Sequence, residues 1–307
     1  MISVEHLTKH YGEKTAVESL TFTVRPGVVT GFLGPNGAGK STTMRIIAGL
    51  DRPTSGSALV DGRPYVEDPA PLRRVGLLLE AKAVHTSRTA RNHLRALAAT
   101  HGIGRRRVED LIELTGLQDA ADKRVGGFSL GMSQRLGIAA ALLGDPANLI
   151  LDEPVNGLDP EGVQWMRKLL GSQAAEGRTV LLSSHLMSEM ALTADHLIVI
   201  GRGRLIADLS VEELTAQASR RHVRVRTPDA GTLAELVTGP GVNVEAPGND
   251  LLEVTGLESK AIGELARRHD LSLYELTPVR ASLEDAFMEL TRDVVEYRAA
   301  DIEEVVA

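Results

Sequence analysis

Apolar positions change period twice within the first fifty residues. Residues 3–6 and 20–24 alternate apolar and polar side chains, as half-buried strands do, and the run VVTGFL at 28–33 predicts a buried strand. That run passes straight into a glycine-rich loop. From Gly39 onward, Met44, Ile46, Ile47 and Leu50 recur at helical spacing until Asp51-Arg52-Pro53 breaks the pattern. Strand, glycine loop, helix is the order that a phosphate site needs.

Residues 89–144 predict mainly helices, with Ala and Leu at helical spacing in ARNHLRALAAT and RRVEDLIELTGL, so a helical insert is expected at about 85–145. Strands return at 149–151, 179–183 and 196–200, with a helix over 160–174, and this alternation predicts a largely parallel α/β sheet. Past residue 218 the order changes. RRHVRVRT predicts a strand, then come a helix near 231–238, two strands, a helix near 258–268 and a strand at 271–276. That βαββαβ order predicts a small α+β ferredoxin-like domain at 219–291, after an α/β domain at 1–218. A last helix is expected from Ser282, where Ser282 and Asp285 have capping-box spacing, and 292–307 is expected to be a tail.

Composition narrows the function classes. The 307 residues allow two domains at roughly 150 residues each, and 43% hydrophobic with 24% charged residues argues for a folded chain rather than a disordered one. A net charge of −7 argues against nucleic acid as the main partner. The absence of cysteine excludes disulfides and thiolate metal sites and fits the cytoplasm. No signal-peptide stretch opens the chain, and the longest apolar run, 136–143, is far short of the roughly 20 residues that span a bilayer. No direct membrane span is expected, so a transport role would require a partner chain.

Gly34-Pro35-Asn36-Gly37-Ala38-Gly39-Lys40-Ser41 fits G-x-x-x-x-G-K-[ST], the Walker A loop. Its backbone N–H groups and the following helix N-terminus suit phosphates. Lys40 supplies a charge for the β- and γ-phosphates of ATP, Ser41 supplies a hydroxyl for Mg²⁺, and Thr42 continues the site. The apolar strand Asn148-Leu149-Ile150-Leu151 ends in Asp152 and Glu153. Beside a P-loop these become the Mg²⁺ partner and the general base for the attacking water, although an acidic pair alone is more often a helix cap.

Between those motifs, Phe128-Ser129-Leu130-Gly131-Met132-Ser133-Gln134-Arg135 resembles the signature of ABC ATPases. Asn156-Gly157-Leu158-Asp159 resembles the D-loop and His185 the switch histidine, so the resemblance spans roughly residues 1–215. It implies an ABC-type P-loop fold and Mg-ATP hydrolysis by a homodimer. Ser129 and Gly131 would reach the γ-phosphate held by the opposite subunit, and His185 would contact the γ-phosphate, a satisfied structural histidine being the competing reading. Tyr11 matches the aromatic that stacks on adenine and Ala16 the small residue beside the nucleoside; a strand-edge tyrosine and plain packing are the competing readings. The sequence departs from the family at Leu130, at Met132 and at Glu80. Glu80 ends VGLLLE where a Q-loop glutamine that contacts Mg²⁺ is usual, and a plain surface acid is the alternative there.

The LLLE ending, the SLGM signature and SLEDAFMELT resemble ATPase subunits of bacterial drug and antibiotic exporters, the bacitracin and daunorubicin resistance types among them. The resemblance implies an integral membrane permease as partner and a place on the inner face of the cell membrane. Rival readings are a soluble ABC ATPase acting on ribosomes or DNA, a plain P-loop kinase, and export of a lipid, polysaccharide or ion. For the C-terminal domain, a regulatory sensor and an extra dimer surface stay open.

Overall fold

The computed structural model describes residues 1–81, 83–184, 187–217, 222–279 and 283–291. These divide into two units, Met1–Val211 and Glu212–Leu290, each with an apolar core of its own.

In the first unit, β1 (Ile2–Tyr11) and β2 (Lys14–Val24) form a hairpin in which Tyr11 faces Lys14 across Gly12-Glu13. The hairpin is longer than the alternation predicts. His6 and Ser19 adopt φ of 46° and 49°, and the pairing register shifts around them, so the two-residue period restarts instead of running on. β3 (Val29–Leu33) leads through the glycine loop into α1 (Lys40–Ile47), and β4 (Ser55–Val60) pairs with β1 to give an antiparallel sheet of order β2-β1-β4.

After α2 (Pro71–Arg74) and β5 (Val75–Leu78) comes the helical stretch of α3 (Ala90–Thr100), α4 (Arg105–Leu114) and α5 (Leu130–Ala141). Thr89 caps α3 by accepting from the Asn92 amide at 3.2 Å, and Glu109 of α4 pairs with Arg91 and, at 3.0 Å, with Arg95 of α3. The chain then runs through β6 (Asn148–Asp152), α6 (Pro160–Ala175), β7 (Thr179–Ser183), α7 (Met187–Thr193), β8 (His196–Gly201) and β9 (Arg204–Ser210).

The second sheet has the order β5-β6-β7-β3-β8-β9, parallel throughout except for the β8-β9 pair. Its inner strands are almost continuously buried because helices and the small sheet cover both faces, which is why they appear in the sequence as unbroken apolar runs. Phe22 of β2 and Phe32 of β3 meet with ring centroids 5.4 Å apart, among Met44 and Ile47 of α1 and Ile150, Leu181 and Ile198 of the large sheet. Burying each such side chain contributes about 1.5–3 kcal/mol. This core fixes β3 and α1, and with them the loop between.

The second unit begins around α8 (Val211–Gln217) and continues as β10 (His222–Arg226), α9 (Ala230–Val237), β11 (Asn243–Gly248), β12 (Leu251–Thr255), α10 (Ser259–Arg268), β13 (Glu275–Val279) and α11 (Leu283–Thr291). Its antiparallel order β11-β12-β10-β13 is that of a ferredoxin-like split βαβ fold. Val223, Val225, Leu252 and Val254 pack with Leu233, Val237, Ile262 and Ala266. The last strand starts later than the apolar pattern at 271–276 suggests. Leu271 and Leu273 pack on this core ahead of the ladder, and the Tyr274 amide bonds the Arg226 carbonyl at 2.7 Å just before pairing begins. Ser282 and the tail at 292–307 lie outside the described residues.

Candidate functional site

The loop after β3 opens into a cleft of about 500 Å³ at the C-terminal ends of the parallel strands, where α/β folds bind their ligands. Asn36, Gly37, Ala38, Gly39, Lys40, Ser41 and Thr42 line it, together with Tyr11, Lys14, Ala16, Asp152 and Glu153. Gly34 and Pro35 stand behind. Their carbonyls accept from the Lys40 ammonium at 2.6 and 3.2 Å.

Gly39 shows why this sequence must carry glycine. Its φ is 103°, and a Cβ there would lie 2.6 Å from the Ala16 carbonyl oxygen, so the loop can turn into α1 only without a side chain. No side chain caps the first turn of α1 and no acid sits in it, which leaves its positive end available to an anion. Burial pushes the Lys40 ammonium below its ordinary pKa, while the nearby carboxylates of Glu153 and Asp152 push it back up.

Strand register assembles the acidic side. Asp152 of β6 is the register partner of Ser183 of β7, and the Ser183 hydroxyl donates to Asp152 Oδ1. The Ser41 hydroxyl donates to Asp152 Oδ2 at 2.9 Å. One carboxylate thus joins the P-loop helix to two strands. Glu153 follows with φ of 50°, an uncommon conformation for a residue with a side chain, which turns the chain off the strand. Both of its peptide groups are pinned: its amide donates to Ser183 Oγ at 3.1 Å, and its carbonyl accepts from the Gln134 side chain of α5 at 2.6 Å. The signature helix is therefore bonded to the acid at the cleft.

Glu80 does not line this cleft. It lines an adjoining one of about 450 Å³ between β5 and the helical stretch, which also includes Ser41, Asp152, Leu77, Leu79 and Val84. Ser129 and Gly131 line neither cleft. Ser129 caps α5, accepting from the Met132 amide at 3.2 Å, and Leu130 packs on Gly157 of the loop before α6. His185 lies outside the described residues.

Lys14 and Ser183, which stand in no motif, and Gln134, which the signature string contains without a role of its own, also belong to this site. The hairpin register that sets Lys14 beside Tyr11 could have signalled the first. The other two are brought in by strand pairing and helix packing, which leave no short-range signal.

A P-loop at the end of a central parallel strand, with an acid delivered by the next strand but one, defines a P-loop nucleotide triphosphatase. The chain belongs to the ATP-binding subunits of ABC transporters, and it is an ATPase of that family. The ABC transporter family model matches residues 17–156, and a model for a domain of unknown function matches 221–284. The bacitracin transport ATP-binding protein BcrA of Bacillus licheniformis is 36% identical over 298 residues, covering 94% of this chain and 97% of BcrA. The daunorubicin resistance ATP-binding protein DrrA3 of Streptomyces coeruleorubidus is 34% identical, covering 95% of this chain and 96% of DrrA3. A solved ATP-binding subunit of an ABC transporter superposes with a TM-score of 0.65 at 29% identity, covering 71% of this chain and 92% of that one. No helix among the described residues is long and apolar enough to cross a membrane.

Proposed function

We propose that two copies of this chain bind Mg-ATP head to tail and that their closure and reopening drive a separate integral membrane permease. The observation that carries the Mg-ATP part of this reading is the Ser41–Asp152 bond at the mouth of the P-loop cleft, with Glu153 pinned one residue on. A hydroxyl and a carboxylate are hard oxygen donors, and such a pair suits Mg²⁺, which is held by one or two carboxylates and by substrate phosphates. Ser41 and Asp152 would hold the ion, which would supply positive charge against the negative charge of the phosphates. Glu80, in the adjoining cleft with Ser41 and Asp152, would add a carboxylate on the side of the helical insert.

Lys40 holds the β- and γ-phosphates and Glu153 takes the proton of the attacking water. Tyr11 stacks on adenine, and the small Ala16 leaves room beside the nucleoside. Ser129 and Gly131, which stand clear of their own chain's cleft, supply the γ-phosphate contacts of the opposite copy, and His185 acts on the same group. The insert and Glu80 pass closure to the permease at the inner face of the cell membrane. The bacitracin and daunorubicin names of the full-length relatives favour export of antibiotics or drugs. For the domain of residues 219–291 we propose an accessory role outside the ATP site.

Glu153→Gln tests the reading. Loss of the base should slow hydrolysis by roughly 10²–10⁴-fold, while ATP drives the variant into a dimer in sedimentation velocity. Affinity purification of the same variant from its native membrane with ATP should bring down an integral membrane subunit. A species that sediments as a monomer at saturating ATP sinks the head-to-tail arrangement.

A further inference from the structure

Tyr11 reaches the cleft from the end of β1, and 48% of its surface is exposed, yet its ring is not free to swing. The Lys9 ammonium lies 4.7 Å from the ring centroid. The same ammonium donates to Asp51 Oδ1 and to the Arg52 carbonyl, both at 2.7 Å, and the Tyr11 hydroxyl donates to Asp51 Oδ2. Asp51 follows α1, so one carboxylate ties both side chains of the hairpin to the far end of the helix that begins at the P-loop. Backbone bonds hold the two segments in register: the Thr54 amide donates to the Thr8 carbonyl at 2.7 Å, and the His10 amide to Thr54 Oγ1 at 3.0 Å.

Tyr11 lines the cleft and Lys9 does not. We infer that Lys9 and Asp51 are positioning residues for the adenine base: they clamp the Tyr11 ring by its hydroxyl and by a cation on its surface, so that the ring meets a purine as a fixed platform. The inference rests on the ATP reading above and adds the residues that fix the base subsite. An exposed aromatic side chain must give up rotamer freedom when a ligand stacks on it, and ordering the ring in advance removes that cost from binding. The bond to Asp51 raises the Tyr11 phenol above its ordinary pKa and keeps it a donor, while the Lys9 and Tyr11 donors lower the Asp51 carboxyl.

The test compares Mg-ATP with Mg-tripolyphosphate, which has phosphates but no base, by isothermal titration of the full-length chain. Asp51→Ala, Lys9→Met and Tyr11→Phe should each weaken ATP roughly three- to tenfold, the scale of one lost hydrogen bond or cation–π contact. Tripolyphosphate affinity should hold constant. In a Tyr11→Ala background, Asp51→Ala should have no further effect on ATP. Equal weakening of both ligands by Asp51→Ala, or unchanged ATP affinity in Tyr11→Phe and Lys9→Met, overturns the clamp. Unchanged ATP affinity in Tyr11→Ala shows instead that the base does not stack there, and the clamp falls with that part of the ATP reading. Should Asp51→Ala fail to fold, Tyr11→Phe, which deletes one exposed oxygen, decides the matter.

Discussion

Ser183 has no place among the motif residues, yet it holds two of them: it donates to Asp152 and accepts from the Glu153 amide. Its side chain is fully buried, so Ser183→Ala leaves the amide without its partner, at a cost of about 1–3 kcal/mol in stability. Asp152 is then free to turn from Ser41. The expected outcome is a lower melting temperature and a several-fold rise in the Mg²⁺ concentration that half-saturates hydrolysis; an unaltered Mg²⁺ curve would contradict the holding role. The P-loop was legible in the sequence because its chemistry needs contiguous residues on a strand-to-helix turn. Ser183 was not, and Gln134 was visible only as a member of the signature string without its bond to Glu153, because their partners are 31 and 19 residues away and meet them only through sheet register and helix packing.

Strands buried on both faces, such as β3 and β7, announce themselves by unbroken apolar runs, and α6, buried along one face, by helical spacing, each within a residue or two of its ends. β4 and β9 were illegible: half-exposed strands with little apolar rhythm, they are fixed by neighbours already in place. Packing between elements also explains a departure in the signature. Leu130 stands at the start of α5, and a Cβ on Gly157 would lie 2.4 Å from its Cδ2. Bulk at the first position thus requires its absence at the second. Gly157 has φ of 76°, so Gly157→Ala should destabilise by roughly 1–2 kcal/mol from backbone conformation alone, and further from the clash. Adding Leu130→Ala should recover the clash portion but not the rest, as urea unfolding of the single and double variants will measure. No recovery would show that the two residues do not share that space.

At the scale of the molecule, the described residues that line the P-loop cleft all lie between positions 11 and 153, and among the described residues the core beneath it draws on residues 2–200. The second unit keeps its own core of Val223, Leu252, Ile262 and their neighbours. A chain truncated after Gln217 should therefore bind Mg-ATP within about twofold of full length in isothermal titration, the tolerance expected of distant, independent sites. A loss beyond tenfold would place the second unit in the nucleotide site. The ferredoxin-like order was legible from alternating strands and two helices, whereas its purpose was not, since that fold serves many unrelated ends.

Lys40 gives one further consequence. Its ammonium already bonds two carbonyls of its own loop, so an incoming phosphate must win it from a resident rival. Spent nucleotide, in leaving, hands the cation back to a ready berth instead of stranding it in a dry pocket. Tightness is sacrificed at arrival and release is eased at departure, which suits an engine that must empty its cylinder on every stroke.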